Sequence, residues 1–333
     1  MTESLWAPDH PVRQVLHDRR AGGSRPGERT DDAVVGLAIE GGGMRGVVSG
    51  AMVTALEDLG YGDAFDHVYA CSAGALNGAY FVVGGTWFPL SIYFDDLTDG
   101  EFLALRRVLR GLGPMNLDYV FDVVLTQRKP LDYMAIIQSP QRLHVMVTDV
   151  DELAPLTVGV FESAADLRAA LQASVWLPAA VRGTATFRGH RAIDGGVLRF
   201  HPYRAARLGG CTHILSLSTK PIGTVPSQPH WTQPLLAQHL DRLRPGLGRG
   251  FTAARLEYLT QDNPYLHRSR LDPDAHPAVL DIAPLPGTPE VKRHEQDRGK
   301  LLDGARSAYR AAHLALEHQD VHVVPRLTAV RTA

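Results

Sequence analysis

Two short turns of small residues narrow the folds open to this 333-residue chain, because each is led in by an apolar run and followed by helical periodicity. The first turn, Gly41-Gly42-Gly43-Met44-Arg45-Gly46, follows the apolar run Ala33 to Ile39, which closes at Glu40. After it, Val48, Met52, Leu56 and Leu59 recur at helical spacing, which predicts a helix over Val47 to Leu59 ended by Gly60. The second turn, Ala70-Cys71-Ser72-Ala73-Gly74, follows His67-Val68-Tyr69-Ala70 and opens a helix over Ala73 to Phe81. Strand, turn, helix, strand, turn, helix is the pattern of an α/β sheet. Such a sheet places its ligand chemistry at the carboxyl ends of its strands.

Further along, Trp87 to Ile137 reads as mostly helical, with breaks at Gly111-Leu112-Gly113-Pro114 and at Lys129-Pro130. Strands are expected at Leu143 to Thr148, Ala192-Ile193, His213 to Ser218 and Val279 to Ile282. Helices are expected at Ala164 to Ala173, near Leu235 to Leu243 and Thr252 to Thr260, and at Lys300 to Leu316. Pro221 to Pro234, rich in Pro, Ser and Gln, reads as a loop. No internal repeat or clear domain boundary is visible, so 33–320 is taken as one domain with a helical insertion at about 87–137. Residues 321–333 are taken as a tail.

Residues 1–32 are polar and carry Arg19, Arg20, Arg25 and Arg29, so a loosely packed extension is expected there. The stretch lacks an apolar h-region, so a secretory signal is not expected. Val68 to Phe94 is free of charge and long enough to span a bilayer. Its glycines, Asn77 and Pro89 argue instead for a strand end, a turn and a buried helix. A formal charge of −2 gives no pull toward nucleic acid. Cys71 and Cys211 do not make a disulfide framework. The histidines form no ligand cluster, so no metal or other cofactor is expected. The arginines of the C-terminal third are interleaved with acids and read as a solvated face.

The glycine turn admits three readings. Gly41-x-Gly43-x-x-Gly46 fits a dinucleotide fingerprint, but Asp63 and Asp66 precede the end of the second strand, where that fingerprint wants an acid to follow. A Walker loop is excluded because no Lys-Ser/Thr follows. A purely structural turn is the second reading. The third is an oxyanion site, in which consecutive glycines expose backbone N–H groups at the positive end of the next helix. The serine turn tilts the balance toward the third. Its Ala70-x-Ser72-x-Gly74 spacing is a variant of the nucleophile elbow, with Ala in place of the first Gly. A serine nucleophile needs a base. Asp194-Gly195-Gly196, just past a short strand, is the best candidate, and it falls at the same sheet edge if that strand is parallel.

These three blocks, in this order and at this spacing, resemble the signature blocks of the patatin-like phospholipase family. Ala173-Ser174-Val175-Trp176-Leu177-Pro178 resembles a fourth, less specific block. The resemblance covers about Val34 to Thr219. It implies a three-layer α/β/α fold with a mostly parallel central sheet and a Ser-Asp dyad without a catalytic histidine. Ser72 would be the nucleophile and Asp194 the base. The N–H groups of Gly42, Gly43 and Met44 would be the oxyanion candidates. Gly41, Arg45, Gly46, Ala70, Gly74, Gly195 and Gly196 would support them. The family hydrolyses ester bonds of phospholipids and other acyl lipids without a metal.

The expected partner is therefore an acyl lipid, presented at a membrane surface to a cytoplasmic protein with no membrane span. An acyltransferase or thioesterase on the same dyad, and a lipid-binding protein without turnover, are the alternatives. A Ser-His-Asp triad is a further one, with His201 or His213 in the order the α/β-hydrolases use.

Overall fold

The computed structural model describes residues 5–224, 232–322 and 324. Eight strands form one sheet in the order β5-β6-β3-β2-β1-β7-β8, with β4 pairing on β3 off this path. They are β1 (Val35–Ile39), β2 (His67–Cys71), β3 (Arg142–Asp149), β4 (Ala154–Val158), β5 (Ala185–Phe187), β6 (His190–Asp194), β7 (His213–Leu217) and β8 (Ala278–Ile282). The pairs β3–β2, β2–β1, β1–β7 and β7–β8 are parallel.

Side chains of the central strands alternate between two apolar layers, as strand geometry requires. Leu37 and Ile39 of β1, Val68 and Ala70 of β2, and Leu215 and Leu217 of β7 join the larger core. Ala38, Tyr69, Cys71 and Ile214 face the other side. The larger core also takes in α2 (Gly46–Asp58), α3 (Ala73–Val83), and the helices Ala164–Ser174 and Arg298–Glu317. The opposite face is covered by Tyr203–Leu208 and Asn263–Ser269. Helices on both faces of a mostly parallel sheet make the three-layer α/β/α architecture expected from the resemblance. Among the described residues, no helix is long and apolar enough to cross a membrane.

Two expectations need correction. The N-terminal stretch is not loose over its described part, because α1 (Pro11–Ala21) packs Val12, Leu16 and Arg19 into the body. Few apolar residues suffice there because the charges find partners. Arg19 donates to Asp31 and Asp66 at 2.8 and 2.9 Å, and Arg29 donates to Asp66 at 2.7 Å. Trp6, also buried, donates its indole N–H to the Asp281 carbonyl at 2.8 Å.

The strand carrying Asp194 is antiparallel, not parallel: β6 pairs with β3 with Asp194 opposite Val147. In register, Cys71 lies opposite Met146. Strand β3 thus runs past the end of β2, and β6 returns along it. An antiparallel strand therefore delivers its last residue to the edge where β2 ends.

The insertion is a chain of short pieces, with helical turns at Trp87–Leu90, Ile92–Asp96, Leu105–Val108, Tyr119–Arg128 and Tyr133–Gln138. The loop expected at 221–234 falls mainly on 225–231, outside the described residues, and a helix starts at Thr232. Most of the 321–333 tail also lies outside them.

Candidate active site

Strand β2 ends at Cys71 and α3 begins at Ala73, so Ser72 must turn the chain alone. It does so at φ 55° and ψ −138°, a conformation that glycine tolerates and serine does not favour. Two backbone features hold it there. The Ser72 N–H donates to the Ser174 hydroxyl at 2.9 Å, and that hydroxyl donates to the Met146 carbonyl at 2.7 Å. Gly41 presses on the other side, where a Cβ would stand 2.4 Å from the Cys71 carbonyl oxygen and 2.6 Å from the Ser72 Cβ. The glycine turn and the serine turn thus touch because one of them carries no side chain at the contact.

Asp194 is buried at the end of β6. Burial pushes its carboxyl above the ordinary carboxylate value, against the pull of the neighbouring Ser72 hydroxyl, a hydrogen bond from the Gly196 N–H and the nearby Arg293 charge. The Gly196 contact measures 2.7 Å. The Asp194 N–H donates to the Trp176 carbonyl at 3.1 Å, and its carbonyl accepts from Thr148 Oγ1 at 3.0 Å. Ser174 and Trp176 therefore brace both members of the Ser72–Asp194 pair from one short segment. Their block was visible in the sequence, but its bracing was not, since it depends on how that segment crosses β3.

Of the three amides expected to cradle an oxyanion, the structure withdraws one. The Met44 N–H already donates to the Arg293 carbonyl at 3.0 Å, a contact brought in from a distant loop. Gly42 and Gly43 line the cleft beside Ser72, at φ 146° and 62°. Arg45 does not reach the cleft as a free charge. It is buried behind the loop, donating to Thr219 Oγ1 at 3.0 Å and to Glu290 at 2.7 Å. Its guanidinium stands where a Gly42 Cβ would come to 3.2 Å, so it braces the loop.

Gly46 and Gly74 sit at the tightly packed starts of α2 and α3, and Gly195 sits against Met146 of β3. Ala70 is fully buried in the larger core, and the turn forms with Ala in place of Gly.

Neither histidine of the alternative triad is hydrogen-bonded to Ser72. His201 is buried between the Ser218 hydroxyl and the Tyr203 N–H. His213 stands opposite Val35, at the amino end of the sheet, whereas Ser72 follows its carboxyl end. Among the described residues, one group has metal-ligand spacing, namely Asp149, Asp151 and His190. Asp149 accepts from the Asp151 and Glu152 amides, and Asp151 pairs with Arg191.

Two cavities meet at Ser72. A larger, mixed cleft of about 380 Å³ is lined by charged Glu40, Asp194, Lys220 and Arg293 and by apolar Phe200, Leu236, Phe251 and Leu259. An apolar channel of about 70 Å³ is lined by Leu76, Tyr93, Leu97, Phe102, Met115 and Leu117. Both include Ser72, Gly43 and Leu177. The arrangement offers a hydroxyl, a basic carboxylate and two amides at one point, with an apolar site on one side and a larger, partly charged one on the other.

Gly43→Ala tests the cradle. The new Cβ would meet the Arg293 carbonyl oxygen at 2.6 Å, at a positive φ that disfavours alanine, so the amide must shift. The expected result is a fall of about 10²–10³ in kcat on a short-chain ester. An unchanged kcat would remove this amide from the chemistry.

The family model described as patatin-like phospholipase matches residues 37–207, just over half of the chain. The chain is also similar to the "Uncharacterized protein YjjU" of Escherichia coli (strain K12), at 26% identity over 202 residues. That similarity spans 60% of this chain and 54% of the relative, so the chain covers about half the relative's length.

Proposed function

The chain belongs to the patatin-like phospholipase family, and on that premise we propose that it hydrolyses acyl esters of lipids, with Ser72 as nucleophile and Asp194 as its base. The observation that carries this reading is the position of Ser72. It lies beside Asp194 in the wall of the cleft, at the point where the apolar channel meets it. The channel suits an acyl chain, and the cleft suits the alcohol or headgroup that leaves.

In the reaction, Asp194 takes the Ser72 proton as the oxygen attacks the ester carbonyl. The Gly42 and Gly43 amides receive the negative charge of the tetrahedral intermediate. Collapse breaks the ester bond, and the proton on Asp194 goes to the departing alcohol. Water then attacks the acyl-serine, giving its proton to Asp194. The fatty acid leaves as Ser72 recovers that proton. A carboxylate of ordinary pKa is a weak base for an alcohol. Burial brings Asp194 closer to its task.

A panel of acyl lipids, read by mass spectrometry, tests the reading. Free fatty acid is the expected product. Transfer of the acyl group to an added alcohol in preference to water would make the chain an acyltransferase. No product from any acyl lipid would overturn the proposal. Within the panel, Leu117→Trp narrows the channel. The ratio of kcat/KM for long over short acyl chains should fall about tenfold or more, as expected when an apolar pocket loses room. An unchanged ratio would place the acyl chain elsewhere.

A further inference from the structure

The helical insertion carries an exposed tip on a stem that lines the apolar channel. Its stem is a narrow backbone pair. Leu103 bridges Met115 in antiparallel fashion, the Ala104 N–H donates to the Pro114 carbonyl at 2.9 Å, and the Asn116 N–H donates to the Phe102 carbonyl at 2.8 Å. Phe102 and Met115, on this stem, line the channel that ends at Ser72.

The tip between them has an unusual composition. Leu105 to Leu112 holds three arginines and no acid. Leu109 is 90% exposed, Val108 49% and Leu112 45%. Arg106, Arg107 and Arg110 surround one open hollow of about 340 Å³ with Glu101 and Asn116. Glu101 pairs with Arg106 at 2.7 Å and is the one acid lining that hollow. The tip is also braced, since Arg182 donates to the Gly111 carbonyl at 2.8 Å and Arg107 to the Gly113 carbonyl at 3.3 Å.

Single exposed aliphatic side chains need no explanation, but three within five residues, beside three arginines that face one acid, do. Leucines that project from an arginine collar fit the boundary of an anionic bilayer. There the apolar tips enter the acyl region and the guanidinium groups meet headgroup phosphates.

We infer that the tip 105–112 docks this protein on an anionic lipid surface, so that a single acyl chain can pass along Phe102 and Met115 to Ser72. The inference rests on the reading of the channel as an acyl site, but docking itself needs no turnover.

The test uses the full chain with Ser72→Ala, so that no vesicle is consumed. It is sedimented with vesicles of phosphatidylcholine alone or of phosphatidylcholine mixed with phosphatidylglycerol. Binding is expected to the mixed vesicles, and to weaken as salt is raised. Leu109→Asp should lower the partition coefficient about tenfold or more. Arg106, Arg107 and Arg110 changed together to Gln should lower it on the order of 10²-fold, each cation contributing about fivefold. Leu109 is so exposed that its variant should melt with the parent, which keeps the test valid if the triple variant folds poorly.

Equal binding of Leu109→Asp and parent, or equal binding to neutral and anionic vesicles, would overturn the inference. So would a change in oligomeric state on Leu109→Asp with vesicle binding intact, which would make the tip a contact between copies. Failure of the lipid panel with vesicle binding retained would instead count against the hydrolase reading alone.

Discussion

Ser72→Ala is expected to lower kcat/KM on the best ester substrate by about 10⁴-fold or more, the scale seen when a nucleophile that acts as part of a unit is removed. The residual rate would come from the Gly42 and Gly43 amides and from substrate binding. Folding should be little changed, because alanine inherits the backbone conformation of Ser72. Ser72→Gly separates chemistry from strain. Turnover should vanish equally, but glycine accepts φ 55° and ψ −138° without penalty. The protein should therefore gain about 1 kcal/mol of stability, measured by denaturant unfolding. A glycine variant less stable than the alanine variant would show that the turn is unstrained.

Asp194→Asn should lower kcat/KM by about 10²–10⁴-fold, the usual contribution of a positioned base, while raising stability at neutral pH. The sign follows from the direction of the shift. Burial raises the folded carboxyl above its ordinary 3.8. Between 3.8 and the raised value, the folded state binds a proton that the unfolded state has released, so stability falls as pH rises through that window. Above the window, the ionised carboxylate is carried at its full cost. Asparagine carries no charge, so its contribution should be flat in pH. Activity of the parent should show the complementary limb, rising with pH through the same raised value because the base works ionised. An acid limb at or below the ordinary carboxylate range would contradict the role given to burial.

Much of the fold is readable from local sequence pattern alone. The apolar runs of β1, β2 and β7 are continuous because both faces of those strands are covered, and the turns after β1 and β2 consist of residues that few other folds require. The rest was hidden for identifiable reasons. The direction of β6 depends on how far β3 overshoots β2, which neither strand records in its own residues. Strands β4 and β5 are short edge pieces, and Pro155 lies within the first. Helix α1 lies in a polar stretch whose arginines point to loose packing. Their partners, Asp66 and Glu317, lie far along the chain. The Met44 amide looked free because the carbonyl that takes it belongs to Arg293. The misses at β6, α1 and Met44 each involve a contact between distant segments.

The central claim is that the Ser72 hydroxyl, activated by Asp194, is the group that takes the acyl chain. Treating the folded protein with a fluorophosphonate and mapping the adduct by peptide mass spectrometry tests it most directly. A single adduct on Ser72, formed much more slowly in Asp194→Asn, is the predicted result. An adduct on another residue, or none on Ser72 in folded protein, would contradict the account.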